Sequence, residues 1–224
     1  MMKIQLKLSP NIQPVPFNHL HQLVGGLHKW LGPNEDHGNG LSLYSFGWLQ
    51  GGERIGKSLH FPHGATLDVS FFEEKKGWEL AKGIVKDATW NYGMRVLEAN
   101  EMPIPQMGMR NQFSVSSPVM LREKRADGSR RYILWDETEP AEDALTRIFR
   151  KKMKSAGLRG EHLDSIMRFA PGAAKPKTKL VHYKQIKHKS SLCPIEVEGT
   201  PEAALFAWLT GAGESTGSGF GALV

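Results

Sequence analysis

The feature that most limits the fold is an order of elements that runs twice along 224 residues. The opening Lys3-Ile-Gln-Leu-Lys-Leu-Ser9 alternates polar and apolar residues, the period of a half-buried strand. Pro14 and Pro16 break the chain. Phe17, Leu20, Val24, Leu27 and Leu31 then recur at helical spacing and predict a helix over 17–31. Residues 41–50 and 66–72, rich in aromatic and β-branched side chains, predict strands. Residues 78–88 return to helical spacing and 94–99 to alternation. Strand, helix, strands, helix, strand is the split βαβ plan.

The plan then recurs. Residues 112–122 and 131–135 predict strands around the turn Arg125-Ala-Asp-Gly-Ser129. Residues 139–156 predict a helix with Leu145, Ile148, Phe149 and Met153 on one face. Its acids lie at the start and its Arg and Lys residues at the end, which complements the helix dipole. Strands around 179–186 and 192–198, a short helix from Pro201 and a final strand complete the second pass. The expectation is an α+β fold of two tandem ferredoxin-like (RRM-like, βαββαβ) domains with a glycine-rich loop near the C-terminus. Pro103, Pro105 and Gly108 mark the linker, so the expected domains are 1–105 and 106–224. A hydrophobic content of 40% is enough for their cores.

Charge narrows the partners. Twenty-nine Lys and Arg against 23 Asp and Glu give a net charge of +6, which favours a polyanion, since cations displace condensed counterions from phosphate. The stretch 165–195 holds no Asp or Glu, yet contains Arg168, Lys175, Lys177, Lys179, Lys184, Lys187 and Lys189. Taken alone, this is either a solvated basic face or a binding face. The single cysteine, Cys193, excludes an intrachain disulfide and a cysteine metal cluster and suits a reducing compartment. No apolar run reaches the ~18 residues of a membrane span, and the start lacks a signal-peptide core. The expectation is a cytoplasmic protein without a membrane partner.

Two glycine-rich stretches invite a phosphate-binding reading. Gly211, Gly213, Gly217, Gly219 and Gly221 lie within eleven residues after the last helix. Such turns can form nests of N–H groups for phosphate oxygens, while a helix C-cap and a bulged turn explain one or two of them. Gly51-Gly-Glu-Arg-Ile-Gly-Lys-Ser58 satisfies the P-loop pattern, and Tyr132-Ile-Leu-Trp-Asp-Glu137 resembles a magnesium-holding strand. A P-loop NTPase is therefore the rival of a different class. It requires a helix opening at Gly-Lys-Ser, but Pro62 and Gly64 interrupt the first turns, and the context fits a hairpin.

Of nine histidines, His19, His21, His28 and His37 lie in or just after the first helix. Histidine can take or give a proton near neutral pH. His37, in Glu35-Asp-His-Gly38 just before a strand, is placed to project from a rigid edge. His21 is one helical turn from Phe17 and two from His28, and Tyr44 is a further candidate. No carboxylate cluster completes a metal site, so neither metal nor cofactor is expected.

The C-terminal Glu198-Gly-Thr-Pro-Glu-Ala and Leu209-Thr-Gly-Ala-Gly-Glu-Ser-Thr-Gly-Ser-Gly-Phe-Gly221 resemble the signature of the RAMP superfamily. With Asp36-His-Gly38, Leu43-Tyr-Ser-Phe-Gly-Trp-Leu49, Ser116-Ser-Pro-Val-Met120 and the basic strand over 175–189, the chain resembles the CRISPR-associated protein six endoribonucleases. The resemblance implies RNA across the cleft between the domains and cleavage without metal. The ribose 2′-hydroxyl would attack the adjacent phosphate, leaving a 2′,3′-cyclic phosphate and a 5′-hydroxyl. It implies that His37 moves the proton; with no tyrosine on the first helix, His21 or His19 stands in as its partner. It implies RNA contacts from Lys175, Lys177, Lys179, Lys184, Lys187 and the five glycines. The expected partner is CRISPR repeat RNA or precursor guide RNA, with other CRISPR-associated effector subunits as further candidates, for a monomer or homodimer. A non-catalytic RNA-binding RAMP subunit is the alternative.

Overall fold

The computed structural model describes residues 1–32, 41–172 and 175–224. The N-terminal half runs β1 (Met2–Leu8), β2 (Val15–Pro16), α1 (Leu20–Leu31), β3 (Tyr44–Phe46), β4 (Glu53–Ile55), β5 (Ser58–His60), β6 (Ala65–Phe71), α2 (Glu74–Lys86) and β7 (Val96–Glu101). Four strands form an antiparallel sheet in the order β3-β6-β1-β7, with Leu6 opposite Leu67 and Ala99. The alternation of β1 puts Met2, Ile4, Leu6 and Leu8 into the core, and Met2 packs beneath Gly77 of α2. α1 and α2 approach so closely that a Cβ on Gly83 would lie 2.2 Å from the Trp30 carbonyl oxygen, which makes glycine obligatory there.

The other half runs β8 (Arg110–Phe113), β9 (Arg122–Lys124), β10 (Arg130–Tyr132), α3 (Thr138–Ser155), β11 (Ile166–Phe169), β12 (Lys177–Tyr183), β13 (Ile186–Leu192), β14 (Ile195–Glu198) and α4 (Pro201–Thr210). The sheet order is β11-β14-β8. Ser114 and Val224 exchange backbone bonds at 2.9 Å and Val115 bridges Leu223, so the terminal residues lie as a fourth strand beside β8. That order repeats the first sheet, and the tandem ferredoxin-like plan is the fold. β9–β10 and β12–β13 are hairpins inserted into it.

α4 begins where Thr200 accepts from the Ala203 N–H at 3.2 Å, with Pro201 in the first turn. Beyond its first turn the helix is apolar nearly all round because it is covered nearly all round, with seven of its ten residues buried. Phe206 meets Phe72 edge-on at 4.9 Å, and Ser45 donates to the Leu209 carbonyl at 3.0 Å, so this helix of one domain closes the open sheet face of the other. Lys3, pointing off β1 to that side, donates to the Leu223 carbonyl at 2.7 Å and sits 4.4 Å above the Trp208 ring.

Two expectations change here. Gly51–Ser58 is a hairpin: β4 and β5 pair with Ile55 opposite Ser58, and Gly56 turns the chain at φ 60°. Gly-Lys-Ser thus opens a strand, no helix N-terminus faces a phosphate, and the NTPase reading falls. The strand expected over 41–50 shortens to Tyr44–Phe46, because Gly47 still bonds Asp68 in the first sheet whereas the Trp48 N–H donates to Ser116 in the second domain.

Candidate nucleic-acid interface

The acid-free stretch folds largely as the β12–β13 hairpin. Its register sets Lys177 opposite Leu192, Lys179 opposite Ser190, Leu180 opposite Lys189 and His182 opposite Lys187. Lys184 makes the turn in the left-handed region at φ 54°, and Lys175 lies just before β12. All six lysines are exposed, and none ion-pairs with a carboxylate among the described residues. Arg168 differs: it is held by Glu196 and Glu198 on β14. The hairpin is therefore a row of cations whose fields no described acid cancels locally.

The hairpin faces the N-terminal end of α1. His19 caps that helix, with its carbonyl accepting from Leu23, and is 5% exposed. Its Nδ1 lies 2.8 Å from the Pro16 carbonyl oxygen, which can only accept, so Nδ1 carries the proton. Burial holds the ring well below the usual histidine range, with Lys179 adding to the effect. Trp48 meets His19 edge-on at 6.5 Å, donates to the Gly219 carbonyl at 2.9 Å, and carries the Lys179 ammonium 4.6 Å above its ring. Desolvation there lowers the Lys179 pKa.

His28 lies near the far end of α1. Its Nε2 is 3.2 Å from the Tyr44 hydroxyl, which donates to the Gly217 carbonyl at 3.2 Å. Tyr44 is 2% exposed, so its phenol is a buried link between helix and glycine loop. His21 is exposed on a different face of α1 from buried His19, and neither lies in this cluster. His37 falls outside the described residues. The structure thus brings together Tyr44 and His28, a pair that the spacing of the first helix did not single out.

The glycine ladder is the seam between the domains. A Cβ on Gly211 would lie 2.5 Å from the Gly221 oxygen, on Gly213 2.7 Å from the Met120 oxygen, on Gly217 2.7 Å from the Tyr44 ring, on Gly219 2.5 Å from Leu20, and on Gly221 1.9 Å from the Ala212 oxygen. All but Gly217 also have positive φ. The N–H groups of Gly211, Gly219 and Gly221 donate to Ala207, Thr216 and Pro118, so these three are spent inside the chain and make no phosphate nest. Beneath the loop, the fully buried Lys152 ammonium donates to the Thr210 carbonyl (3.0 Å), Thr216 Oγ1 (3.1 Å) and the Gly211 carbonyl (3.4 Å). It fills the role of a cation at the end of α4, and burial pushes its pKa down to about 7.

Fold and face together define a two-domain tandem ferredoxin-like protein with a basic hairpin, without acidic partners among the described residues, across its interdomain cleft. The family model described as CRISPR associated protein Cas6, C-terminal, matches residues 101–224, and the chain belongs to that family. Among solved structures, it is similar along its whole length to a Cas6-related protein from Pyrococcus furiosus at 21% identity, covering 97% of that chain with a TM-score of 0.85. A structure described as an RAMP protein binding different RNA substrates matches at 20% identity, 98% coverage of that chain and a TM-score of 0.85. A Cas6 product complex matches at 14% identity, 98% coverage of that chain and a TM-score of 0.67. These likenesses extend over the whole chain and concern its fold. No curated protein sequence matches. No helix among the described residues is long and apolar enough to cross a membrane.

Proposed function

We propose that this chain cuts CRISPR precursor RNA within its repeats, in the cytoplasm, by metal-independent attack of a ribose 2′-hydroxyl. The observation that carries the reading is the β12–β13 hairpin, whose lysines have no acidic partner among the described residues and which faces the first domain across a cleft, in a chain of the Cas6 family. Cations in a row along a groove suit phosphates in sequence. In the reaction, the 2′ oxygen bonds to the adjacent phosphorus while the bond to the 5′ oxygen breaks. A base takes the 2′ proton and an acid returns one to the leaving oxygen. The chemistry needs in-line positioning, a proton carrier and charge neutralisation. His37 is the proposed proton carrier, and His28, whose Nε2 lies 3.2 Å from the Tyr44 hydroxyl, is a second candidate imidazole on α1.

The test is incubation of repeat RNA with the protein in EDTA, with analysis of the product ends. Cyclic-phosphate and 5′-hydroxyl ends are expected from native RNA, with no product from RNA carrying a 2′-deoxy group at the scissile nucleotide. His37→Ala should bind RNA like the wild type and cut at least a hundredfold more slowly, the scale of lost acid–base catalysis. A magnesium requirement, or cutting of the 2′-deoxy RNA, sinks the mechanism. The burial of His19 and Tyr44 favours a second reading, a non-catalytic RNA-binding subunit, which predicts the same binding without products.

A further inference from the structure

A recess of about 360 Å³ lies away from the basic hairpin, where the short helical turn over Gly160–Asp164 leads into β11 and the end of β14 leads into α4. Its charge is the reverse of the hairpin's: Glu161, Asp164 and Glu198 all line it, in a chain of net charge +6. Glu198 pairs with Arg168 at 2.9 Å. Glu161 and Asp164 are exposed and have no cationic partner among the described residues. The Arg150 guanidinium donates to the Asp164 and Ser165 carbonyls at 3.1 and 3.3 Å, which fixes the backbone and not the carboxylate. Nor are these acids caps for α4, because Thr200 caps that helix and Glu202 supplies the acid of its first turn.

The wall of the recess holds an independent sign of a ligand. Ser165 lines it, is 1% exposed, and its hydroxyl has no hydrogen-bond partner among the described residues. A Cβ on Gly199, which also lines the recess, would lie 2.0 Å from Ser165 Oγ, so the hydroxyl sits where a side chain at 199 would begin. A buried hydroxyl is costly until something completes it. Thr200, the neighbouring hydroxyl, is engaged by the Ala203 N–H and by His162 Nδ1 at 2.7 Å. Ser165 is the one left for an occupant.

Each property selects a ligand. Three carboxylates repel RNA. No three acids, histidines or cysteines among the described residues are grouped to hold a metal ion, so the negative charge is spread and not focused on a point. Met109, 64% exposed, and Ile166, opposite Glu198 in the sheet, add apolar surface. Ammonium groups spaced by methylenes match spread acids and apolar side chains together. The volume lies toward the lower edge of small-molecule sites, roughly 300–1,000 Å³.

We propose that this recess binds a linear polyamine, with its ammonium groups on Glu161, Asp164 and Glu198, one N–H on Ser165 Oγ, and its methylenes on Met109 and Ile166. The site depends on neither RNA binding nor cutting. The test is calorimetric titration of spermidine into the whole chain without RNA. One site is expected, weakened about tenfold or more in the double variant Glu161→Gln/Asp164→Asn, the scale of hydrogen bonds to charged groups. Ser165→Ala should weaken it severalfold without lowering the urea midpoint, since an unpartnered hydroxyl contributes no bond to the fold. Glu74→Gln/Glu79→Gln on α2 removes the same charge elsewhere and should bind like the wild type.

Absence of binding overturns the site. Equal weakening in the two double variants also overturns it, by reducing the effect to net charge. Acetyl-lysine methylamide binding as tightly as spermidine overturns the polyamine and makes the recess a seat for a single lysine side chain.

Discussion

Two sets of lysines divide this molecule. Lys3 and Lys152 lie in the seam, at 3% and 2% exposure, and their ammonium groups end on carbonyl and hydroxyl oxygens between Thr210 and Leu223. The lysines of β12–β13, apart from Lys179 packed over Trp48, lie in water, and none has an acidic partner among the described residues. Residue type and formal charge are the same in both; what differs is the partner. A buried lysine held by oxygens of the chain itself fixes the frame and offers nothing to a ligand. An exposed, unpaired lysine contributes little to the frame and keeps its charge for phosphate.

The sharpest way to break this division is to truncate Lys152. Lys152→Ala removes a packed stem and leaves three oxygens without a donor, so it should cost about 2–5 kcal/mol, read as a lower urea midpoint. RNA affinity per folded molecule should hold. Loss of affinity at unchanged stability would place Lys152 in the binding face.

The two sets also part in pH dependence. Burial lowers Lys152 to about 7 and Lys3 to about 8, against 10.5 unfolded. Between those values the unfolded chain holds more protons, so stability should rise with pH from about 7 to about 10. It should fall as pH drops back through 8 and 7. Denaturant titrations across that range should show the rise in the wild type and a shallower one in Lys152→Met. A slope unaffected by the substitution would contradict the burial argument.

The smallest expected effect lies on the hairpin. Lys184 holds a left-handed conformation at φ 54°, which asparagine tolerates better. Lys184→Asn should therefore raise stability by about 0.5 kcal/mol while slightly weakening RNA binding, the opposite pairing of effects from Lys152→Ala.

Much of this frame was legible in the sequence, because alternation in β1 and the apolar stripe of α3 report local periods that the fold obeys. What escaped depends on contacts distant in the chain. Lys152 reads as an ordinary basic residue in the last turn of α3, and only the end of α4 turns it into a buried strut. The glycine ladder was visible as a close-approach signal, but the backbone and side chains that approach it belong to this chain. The link from His28 to Tyr44 to Gly217 spans 189 positions from first to last, as 217 minus 28, and no local pattern announces it. The basic hairpin was legible by composition, and the structure adds that its lysines have no acidic partner among the described residues.

The measurement that bears most directly on the division of the lysines is the salt dependence of RNA binding by the wild type and by a variant with Lys177, Lys187 and Lys189 all changed to Gln. Each phosphate contact to single-stranded RNA contributes about 0.7 to the slope of log affinity against log salt. The account predicts a slope shallower by about 2 in the triple variant, with weaker binding at low salt and an unchanged urea midpoint. An unaltered slope and affinity would contradict it and place the RNA on another face.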